Sequence, residues 1–265
     1  MKNEKISVIG CGNLGKSIAK GLLDDKDFSS ENVIATRRNL SLIKDLEEAG
    51  AEITSDNCYA VSKSNIILIA VKPYNVSKII KEIKPALIEG EHIIVSLATG
   101  LGTAEISEML DGKFPVFRAM PNIAANIGES VTCICGKNSD QEQTAKVKFI
   151  FDSIGESLII NEELMEAATV LGACGTAYVL RFIRAMVQGG IQIGLDSKTA
   201  TAMVNQTVKG AAELLIERKM HPEFEIDKVT TPKGCTILGL NEMEHNGFSS
   251  SLIKGIVTSF EKIEK

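Results

Sequence analysis

The chain has 265 residues, enough for one large domain or two ordinary ones. Hydrophobic residues make up 44% of it, as in globular proteins, and the formal net charge of −5 argues against non-specific binding to nucleic acid. Its first residues lack the apolar core and cleavage site of a signal peptide, and its six cysteines form neither a disulfide framework nor a paired zinc motif. We therefore expect a reduced, cytoplasmic protein with no bound metal and no nucleic-acid partner.

A glycine-rich loop follows the first predicted strand, Ile6 to Ile9, and precedes a segment with helical apolar spacing, Lys16 to Leu23. The loop has the pattern G-x-G-x-x-G in the strand–loop–helix setting of a Rossmann-type dinucleotide site. There the first glycine makes the turn, the second admits the pyrophosphate and the third lets helix and strand pack closely. The alternative is a turn kept only for packing. We predict that the dinucleotide is bound by Gly10, Cys11, Gly12, Asn13, Leu14 and Gly15.

The second predicted strand, Asn32 to Thr36, indicates which dinucleotide binds. An NAD site usually has Asp or Glu about 20 residues after the glycines, bonded to the ribose 2′-hydroxyl. Here the strand ends in Thr36, Arg37 and Arg38, with no acidic residue. Guanidinium groups suit a 2′-phosphate, so we predict NADPH, with NADH as the alternative donor. The competing interpretation is a pair of solvated surface arginines.

Further strands alternate with helices up to Ile160, which predicts a doubly wound sheet over residues 1–160. The segment Asn65 to Val71 is continuously apolar, as a central parallel strand should be. Ligands of such sheets bind beyond the carboxyl ends of strands, which places Val71, Lys72 and Pro73 to meet the cofactor. Small residues after the strand Ile93 to Leu97 leave room for a nicotinamide ring. Asn122 either pairs with the nicotinamide carboxamide or caps a turn.

After Ile160 only helices are predicted. The first, from Asn161 to about Leu195, is apolar on every face over much of its length and must therefore be surrounded. A dimer with interleaved helices would surround it. Its uncharged run of about 14 residues is shorter than a membrane span. An amphipathic helix from Asp196 to Arg218 and a last helix from Phe248 to about Glu264 complete an all-α dimerisation domain over 161–265.

A late turn, Thr230 to Thr236, opens a further helix. Unpaired N–H groups at a helix start can hold an anion, and the nucleotide phosphates already have the glycine loop. We therefore expect the N–H groups around Gly234 to hold a substrate carboxylate; the alternative is an ordinary capped helix. None of the three histidines has an evident carboxylate partner, and His92 is expected at the surface. A protonated imine, unlike a hydroxy acid, needs no strong base to accept hydride.

This chain resembles the pyrroline-5-carboxylate reductase family from end to end. The most specific segment, Val229 to Glu244, resembles that family's C-terminal signature, a Ser/Thr-Pro-Gly-Gly-x-Thr turn and helix. Supporting matches are the glycine loop, Val71-Lys72-Pro73, Arg118-Ala119-Met120-Pro121-Asn122 and Gly175-Thr176-Ala177-Tyr178. The resemblance implies an oxidoreductase that reduces 1-pyrroline-5-carboxylate to L-proline with NAD(P)H, the last step of proline synthesis. It also implies a homodimer, often assembled further, with substrate between one subunit's sheet domain and its partner's helices.

The resemblance also implies roles for individual residues. Those expected at the cofactor are Asn57, Ala70, Val71, Lys72, Pro73, Leu97, Ala98 and Thr99. Those expected at the substrate are Glu162, Cys235 and Thr236, with the Thr236 hydroxyl donated to the ring nitrogen.

The chain departs from the family pattern at three places: Lys233 replaces a glycine, Gly172-Ala173-Cys174-Gly175-Thr176 replaces Ser-Gly-Ser-Gly-Pro, and Ile123-Ala124 replaces Thr-Pro. Two alternatives stay open: a reductase of a neighbouring cyclic imine such as piperideine-2-carboxylate, and a non-catalytic NADP(H)-binding sensor.

Overall fold

Two units of different architecture make up the protein. The computed structural model describes residues 4–26 and 28–263. Contacts between residues group the chain up to Cys174 with its end from Phe260 onward, and they group Gly175–Ser259 separately. The first unit is built on a β-sheet, and the second consists of helices.

The sheet of the first unit has eight strands in the order β3-β2-β1-β4-β5-β6-β7-β8. Their bounds are β1 Ile6–Ile9, β2 Val33–Thr36, β3 Glu52–Thr54, β4 Ile66–Ile69, β5 Ile93–Ser96, β6 Val116–Met120, β7 Ser130–Lys137 and β8 Gly155–Ile159. All neighbours are parallel except β6 and β7. The order confirms the predicted doubly wound sheet. The sequence pattern does not predict the antiparallel pair, which forms because residues 121–129 are too few for a parallel crossover.

The helices alternate with the strands in the first unit and follow one another in the second. Their bounds are α1 Asn13–Asp24, α2 Lys44–Glu48, α3 Asn57–Ser62, α4 Pro73–Ile83, α5 Thr103–Met109, α6 Gln141–Asp152, α7 Met165–Ala168, α8 Gly175–Gln192, α9 Ser197–Arg218, α10 Pro222–Val229, α11 Cys235–His245 and α12 Phe248–Ile263. Short 3₁₀ turns precede several of them.

Strand β4 is buried on both faces, as its continuous apolar sequence predicts. Its side chains alternate between two hydrophobic cores. Ile66 and Leu68 belong to the core that contains Ile18 of α1. Ile67 and Ile69 belong to the core that contains residues of α4 and α5. Helices therefore cover both faces of the sheet and leave the edge where the parallel strands end open to a ligand.

His92 does not lie at the surface, contrary to the prediction. It is 4% exposed and lies just before β5. Its Nε2 lies 3.2 Å from the Val61 carbonyl oxygen, and its Nδ1 accepts a hydrogen bond from the Ile88 backbone N–H at 2.9 Å. The ring is thus a hydrogen-bonded part of the core between α3 and the start of β5, which is not visible from its position in the sequence.

The predicted helix from Asn161 to Leu195 is longer and more regular than the observed one. The helical run spans Glu162–Gln192, beginning with a 3₁₀ turn and containing a π-helical segment at Thr169–Cys174. It stops at Gln192 because Gly194 adopts a φ of +108° and Asp196 caps α9 by accepting hydrogen bonds from the Lys198 and Thr199 N–H groups. The π-segment overlaps, at Gly172 to Cys174, one of the places where the chain departs from the family pattern.

The run Glu162–Gln192 also has the length and apolar composition of a membrane span, the one helical run in the described chain that does. Only 11% of its most apolar window is buried. Exposed apolar residues continue on the other helices of the second unit, where a small core of Val187, Ala200 and Val204 joins α8 to α9. An apolar face of this kind needs a covering partner.

Of the last two helices to compare with the prediction, α10 differs from it and α12 agrees. Helix α10 is not predicted, because Pro222 after His221 reads as a chain break. In the structure Pro222 is the first residue of α10, a position where proline's missing N–H costs nothing, and His221 caps the helix. Helix α12 agrees with the prediction as far as Ile263; Glu264 lies outside the described residues.

The turn before α11 explains the glycine that the family signature has at position 233. Lys233 adopts a φ of +61°, in the left-handed region that disfavours side chains. Gly234 closes the turn, its N–H donating to the Thr231 carbonyl oxygen at 2.9 Å. A Cβ on Gly234 would lie 2.5 Å from the Thr231 Oγ1 and 3.0 Å from that carbonyl oxygen, so a side chain there would force Thr231 to move. The chain thus keeps the glycine at position 234, whereas Lys233 has a strained backbone where the family signature has glycine.

We predict that Lys233→Gly raises the thermal midpoint by about 2–4 °C, because relief of left-handed strain outweighs the added freedom of the unfolded chain. Lys233→Ala is the matched control, since it removes the charge but keeps the strain. Differential scanning fluorimetry of both variants checks this. Equal midpoints for the two variants would contradict the strain argument.

Candidate functional site

The glycine loop between β1 and α1 has the geometry that its pattern predicts. Gly10 adopts a φ of +91°. A Cβ on Gly15 would lie 2.8 Å from the Gly10 carbonyl oxygen and 3.0 Å from the Ala70 Cβ, so this glycine allows close packing. A Cβ on Gly12 would meet no atom within 4 Å, which leaves open space over the loop. Because α1 starts with no side-chain cap and no acidic residue in its first turn, as far as the described residues show, its N–H groups fit a pyrophosphate.

A hydrogen-bond chain ties the loop to the end of β2. The Gly10 N–H donates to the Thr36 Oγ1 at 3.2 Å, and that hydroxyl donates to the Asn57 Oδ1 at 2.7 Å. The Asn57 amide donates in turn to the Glu82 Oε1 at 2.9 Å. Thr36 and Asn57, both predicted at the cofactor, are therefore held in place beside the loop.

The two arginines after β2 differ in their surroundings. The Arg37 Nη1 donates to the Cys11 carbonyl oxygen at 2.8 Å, which fixes this guanidinium against the loop. Arg38 is exposed and has no hydrogen-bond partner within the described part of the chain. Cys11 is buried, and burial raises the pKa of its thiol to about 12, so it is a packing residue rather than a nucleophile. One arginine is thus held in place and the other is free to meet a phosphate.

The remaining predicted cofactor residues lie at the ends of β4 and β5. Ala70, Val71 and Lys72 follow β4, and Pro73 begins α4. Leu97 and Ala98 are buried after β5, while Thr99 is half-buried. Since β2, β1, β4 and β5 are adjacent and parallel, the structure brings these residues, the glycine loop and the arginines to one edge of the sheet.

Asn122 shows the capping arrangement that was one of its two interpretations. Its Oδ1 accepts from the Ala124 N–H at 2.9 Å, at the start of a 3₁₀ turn, and its Nδ2 donates to the Gly172 carbonyl oxygen at 3.0 Å. The residue is 8% exposed. The structure thus gives Asn122 a role within the fold, and its contact with the nicotinamide stays a prediction.

Glu162 lies in a cluster of charged and hydroxyl groups. Its Oε1 accepts from the Thr103 N–H and its Oε2 from the Thr103 hydroxyl, both at 2.6 Å. The Arg118 Nη1 lies 3.5 Å from the Glu162 Oε1, and the Arg118 Nη2 lies 2.6 Å from the Glu166 Oε1. Burial raises the pKa of Glu162, but the Thr103 hydrogen bonds and the Arg118 charge together bring it below its usual value. The carboxylate is therefore ionised and has partners within its own unit.

Arg118, Thr103 and Glu166 are the residues that sequence reasoning misses. A usable signal exists for the arginine, because a charged residue inside the buried strand Val116–Met120 needs a partner. Glu162 and Glu166 are four residues apart and so lie on one face of a helical run. Nothing in the sequence points to Thr103.

The predicted substrate residues Gly234, Cys235 and Thr236 lie together at the start of α11, in the second unit. Both Cys235 and Thr236 are exposed. No side chain caps α11 within the described chain, so the N–H groups of its first turn are available. This start fits a carboxylate beside a hydroxyl donor. No group of three or more metal-binding side chains occurs among the described residues.

Two family models match the chain. Residues 5–100 match a family described as NADP oxidoreductase coenzyme F420-dependent. Residues 162–265 match the pyrroline-5-carboxylate reductase dimerisation family. The first match covers the glycine-loop edge of the sheet. The second covers the apolar helices, so the chain carries a dimerisation domain and forms a homo-oligomer.

Individual proteins match almost the whole chain. Pyrroline-5-carboxylate reductase 1 of Dictyostelium discoideum is 45% identical over 97% of this chain, which spans about half (49%) of that relative's length. Pyrroline-5-carboxylate reductase 2 of the same organism is 42% identical over 99% of this chain and 93% of its own. The crystal structure of a pyrroline carboxylate reductase from Plasmodium falciparum, solved with NADP bound, superposes with a TM-score of 0.90 at 27% identity, covering 99% and 98% of the two chains. The chain belongs to the pyrroline-5-carboxylate reductase family.

Proposed function

We propose that the protein reduces 1-pyrroline-5-carboxylate to L-proline with NADPH, the last step of proline biosynthesis. One observation carries the proposal: the chain matches, almost from end to end, proteins named pyrroline-5-carboxylate reductases. The shape of the glycine-loop edge and the uncapped start of α11 agree with this chemistry. A cofactor-oxidation assay with pyrroline-5-carboxylate, run with NADPH and NADH side by side, tests it.

NADPH is the proposed donor, and when bound it supplies the hydride that reduces the C=N bond. Three facts support this choice. The N-terminal family match is to NADP oxidoreductases, the Plasmodium structure contains NADP, and β2, which in NAD sites carries an acidic residue near its end, is followed here by Arg37 and Arg38. We infer that Arg38, exposed and without a partner in the described chain, meets the 2′-phosphate together with Arg37.

At the substrate, the proposal assigns two tasks to the start of α11. The N–H groups around Gly234 and Cys235 bind the ring carboxylate, because N–H groups of a helix start and its partial positive charge favour an anion. The Thr236 hydroxyl donates a hydrogen bond to the ring nitrogen, where an electron pair develops as hydride arrives at the carbon of the C=N bond. No strong base is required, in keeping with the absence of a partnered histidine at this helix start.

The proposed organisation is a dinucleotide-binding domain over 1–160 and a helical substrate-binding and dimerisation domain over 161–265. The family match at 162–265 supports the second range. We further propose a homodimer, able to assemble further, in the cytoplasm. A dimer accounts for the run Glu162–Gln192, whose apolar surface then faces a partner subunit instead of a membrane.

A related cyclic imine is the second candidate substrate. Two features favour considering it: Lys233 holds a glycine position of the signature, and the π-segment Thr169–Cys174 contains departures from the family pattern. The assay above, repeated with piperideine-2-carboxylate, compares the two rings by kcat/KM. If the protein binds NADPH but reduces neither ring, the remaining alternative is a non-catalytic NADP(H)-binding sensor.

We predict that Thr236→Ala lowers kcat for pyrroline-5-carboxylate by about 10–100-fold, the usual cost of a lost donor in the transition state. Thr236→Ser keeps a hydroxyl and is expected to retain most of the activity. Steady-state kinetics of both variants check this, and unchanged turnover of Thr236→Ala would remove Thr236 from the mechanism.

We also predict that Arg37→Ala combined with Arg38→Ala raises the KM for NADPH by about tenfold while changing that for NADH little, since each lost phosphate contact is worth on the order of 1 kcal/mol. Arg37 also bonds the glycine loop, so the single variant Arg38→Ala separates phosphate binding from loop stability. Equal effects on both cofactors in Arg38→Ala would rule out the 2′-phosphate assignment.

A further inference from the structure

Arg118 is the buried centre of an ionic cluster in the first unit. Its side chain is 4% exposed, in the middle of β6, and it faces the carboxylates of Glu162 and Glu166. One positive charge between two negative ones leaves a net negative charge. Arg118 alone therefore does not balance both carboxylates, and Glu162, whose side chain is 37% exposed, has further hydrogen-bond partners.

Thr103 supplies those partners to Glu162 and not to Glu166. Both Glu162 oxygens accept a hydrogen bond from Thr103, one from its backbone N–H and one from its hydroxyl. Thr103 is the first residue of α5 and is 2% exposed. A Cβ built on the preceding Gly102 would lie 3.7 Å from the Glu162 Oε1, so the carboxylate lies directly against the chain where α5 begins.

The loop 97–102 connects the carboxyl end of β5 to Thr103. Its first residue is fixed to the sheet by the Leu97 N–H, which donates to the Ile69 carbonyl oxygen at 3.0 Å. Its middle contains Ala98, Thr99 and Gly100, the last with a φ of +72°. These are the small residues expected beside the nicotinamide ring. The loop is thus held by the sheet at one end and by Glu162 at the other.

We propose that Glu162 is a positioning residue, which acts through Thr103 to hold the 97–102 loop in the conformation that seats the nicotinamide for hydride transfer. Arg118, whose Nη1 lies 3.5 Å from the Glu162 Oε1, adds a favourable charge to these contacts. The two hydrogen bonds from Thr103 give Glu162 this role within the first unit, whereas the direct substrate contact that family resemblance implies for Glu162 stays a prediction. The inference rests on the proposed reductase activity.

The test compares four variants in the full-length protein. Glu162→Gln removes the charge and puts an N–H donor at one of the two acceptor positions, and Thr103→Val removes the hydroxyl. Thr103→Ser restores a hydroxyl and is the rescue control. Glu166→Gln is the matched control, because Glu166 shares the Arg118 ion pair but has no hydrogen bond to Thr103.

Steady-state kinetics with pyrroline-5-carboxylate and NADPH, fluorescence titration of NADPH and thermal midpoints are measured for each variant. We expect Glu162→Gln and Thr103→Val each to lower kcat about tenfold, the size of effect that loss of a hydrogen bond to a charged group produces. The KM for the imine should change less than threefold. Thr103→Ser and Glu166→Gln should keep kcat, and the double variant Glu162→Gln/Thr103→Val should be no worse than Glu162→Gln, because the two residues form one linkage.

Three results would overturn the proposal. A rise in KM for the imine alone in Glu162→Gln would indicate direct substrate contact. A lower thermal midpoint with unchanged kcat in Glu162→Gln and Thr103→Val would indicate a role in stability only. A loss of kcat in Glu166→Gln equal to that in Glu162→Gln would assign the effect to the ion cluster as a whole. An inactive wild-type enzyme that still binds NADPH would instead refute the proposed function. If Glu162→Gln fails to fold, the kinetics of Thr103→Val and Thr103→Ser test the proposal by themselves.

Discussion

Burial of β4 on both faces is the constraint on which the first unit depends. Ile66 and Leu68 fill one core while Ile67 and Ile69 fill the other, so helices must cover both sides of the sheet. Covered parallel strands leave only their ends for ligands. The parallel neighbours of β4 in the sheet bring the glycine loop, the end of β2 and the loop after β5 to one edge. The proposed cofactor site is therefore a consequence of core packing as much as of its own residues.

Electrostatic interactions also connect the core of the first unit to that edge of the sheet. A buried guanidinium is tolerated only with carboxylates beside it, and Arg118 recruits two from the helical stretch after β8. One of them, Glu162, accepts two hydrogen bonds from Thr103 at the start of α5. In this way a residue in the middle of a strand is coupled to the loop after β5 through an ion pair and two hydrogen bonds.

The second unit shows the opposite balance between burial and exposure. Its helices share only a small core, and large apolar side chains remain at the surface. A lone chain with such a surface would aggregate, whereas a partner that covers it turns the same surface into an interface. The match of residues 162–265 to a dimerisation family agrees with this physical expectation. Folding of this unit and assembly are therefore expected to be coupled.

Local patterns in the sequence determined the glycine loop, the buried strands, the amphipathic helix ending at Arg218 and the turn before α11, because each depends on neighbours in the chain. Tertiary structure alone decided the antiparallel β7, the burial of His92, the π-segment at Thr169–Cys174 and the bonds of Glu162 to Thr103. Each of these depends on residues far apart in sequence or on the length of a connection within a packed sheet. The spacing of residues along the chain does not predict which distant side chain or backbone group contacts a buried charge.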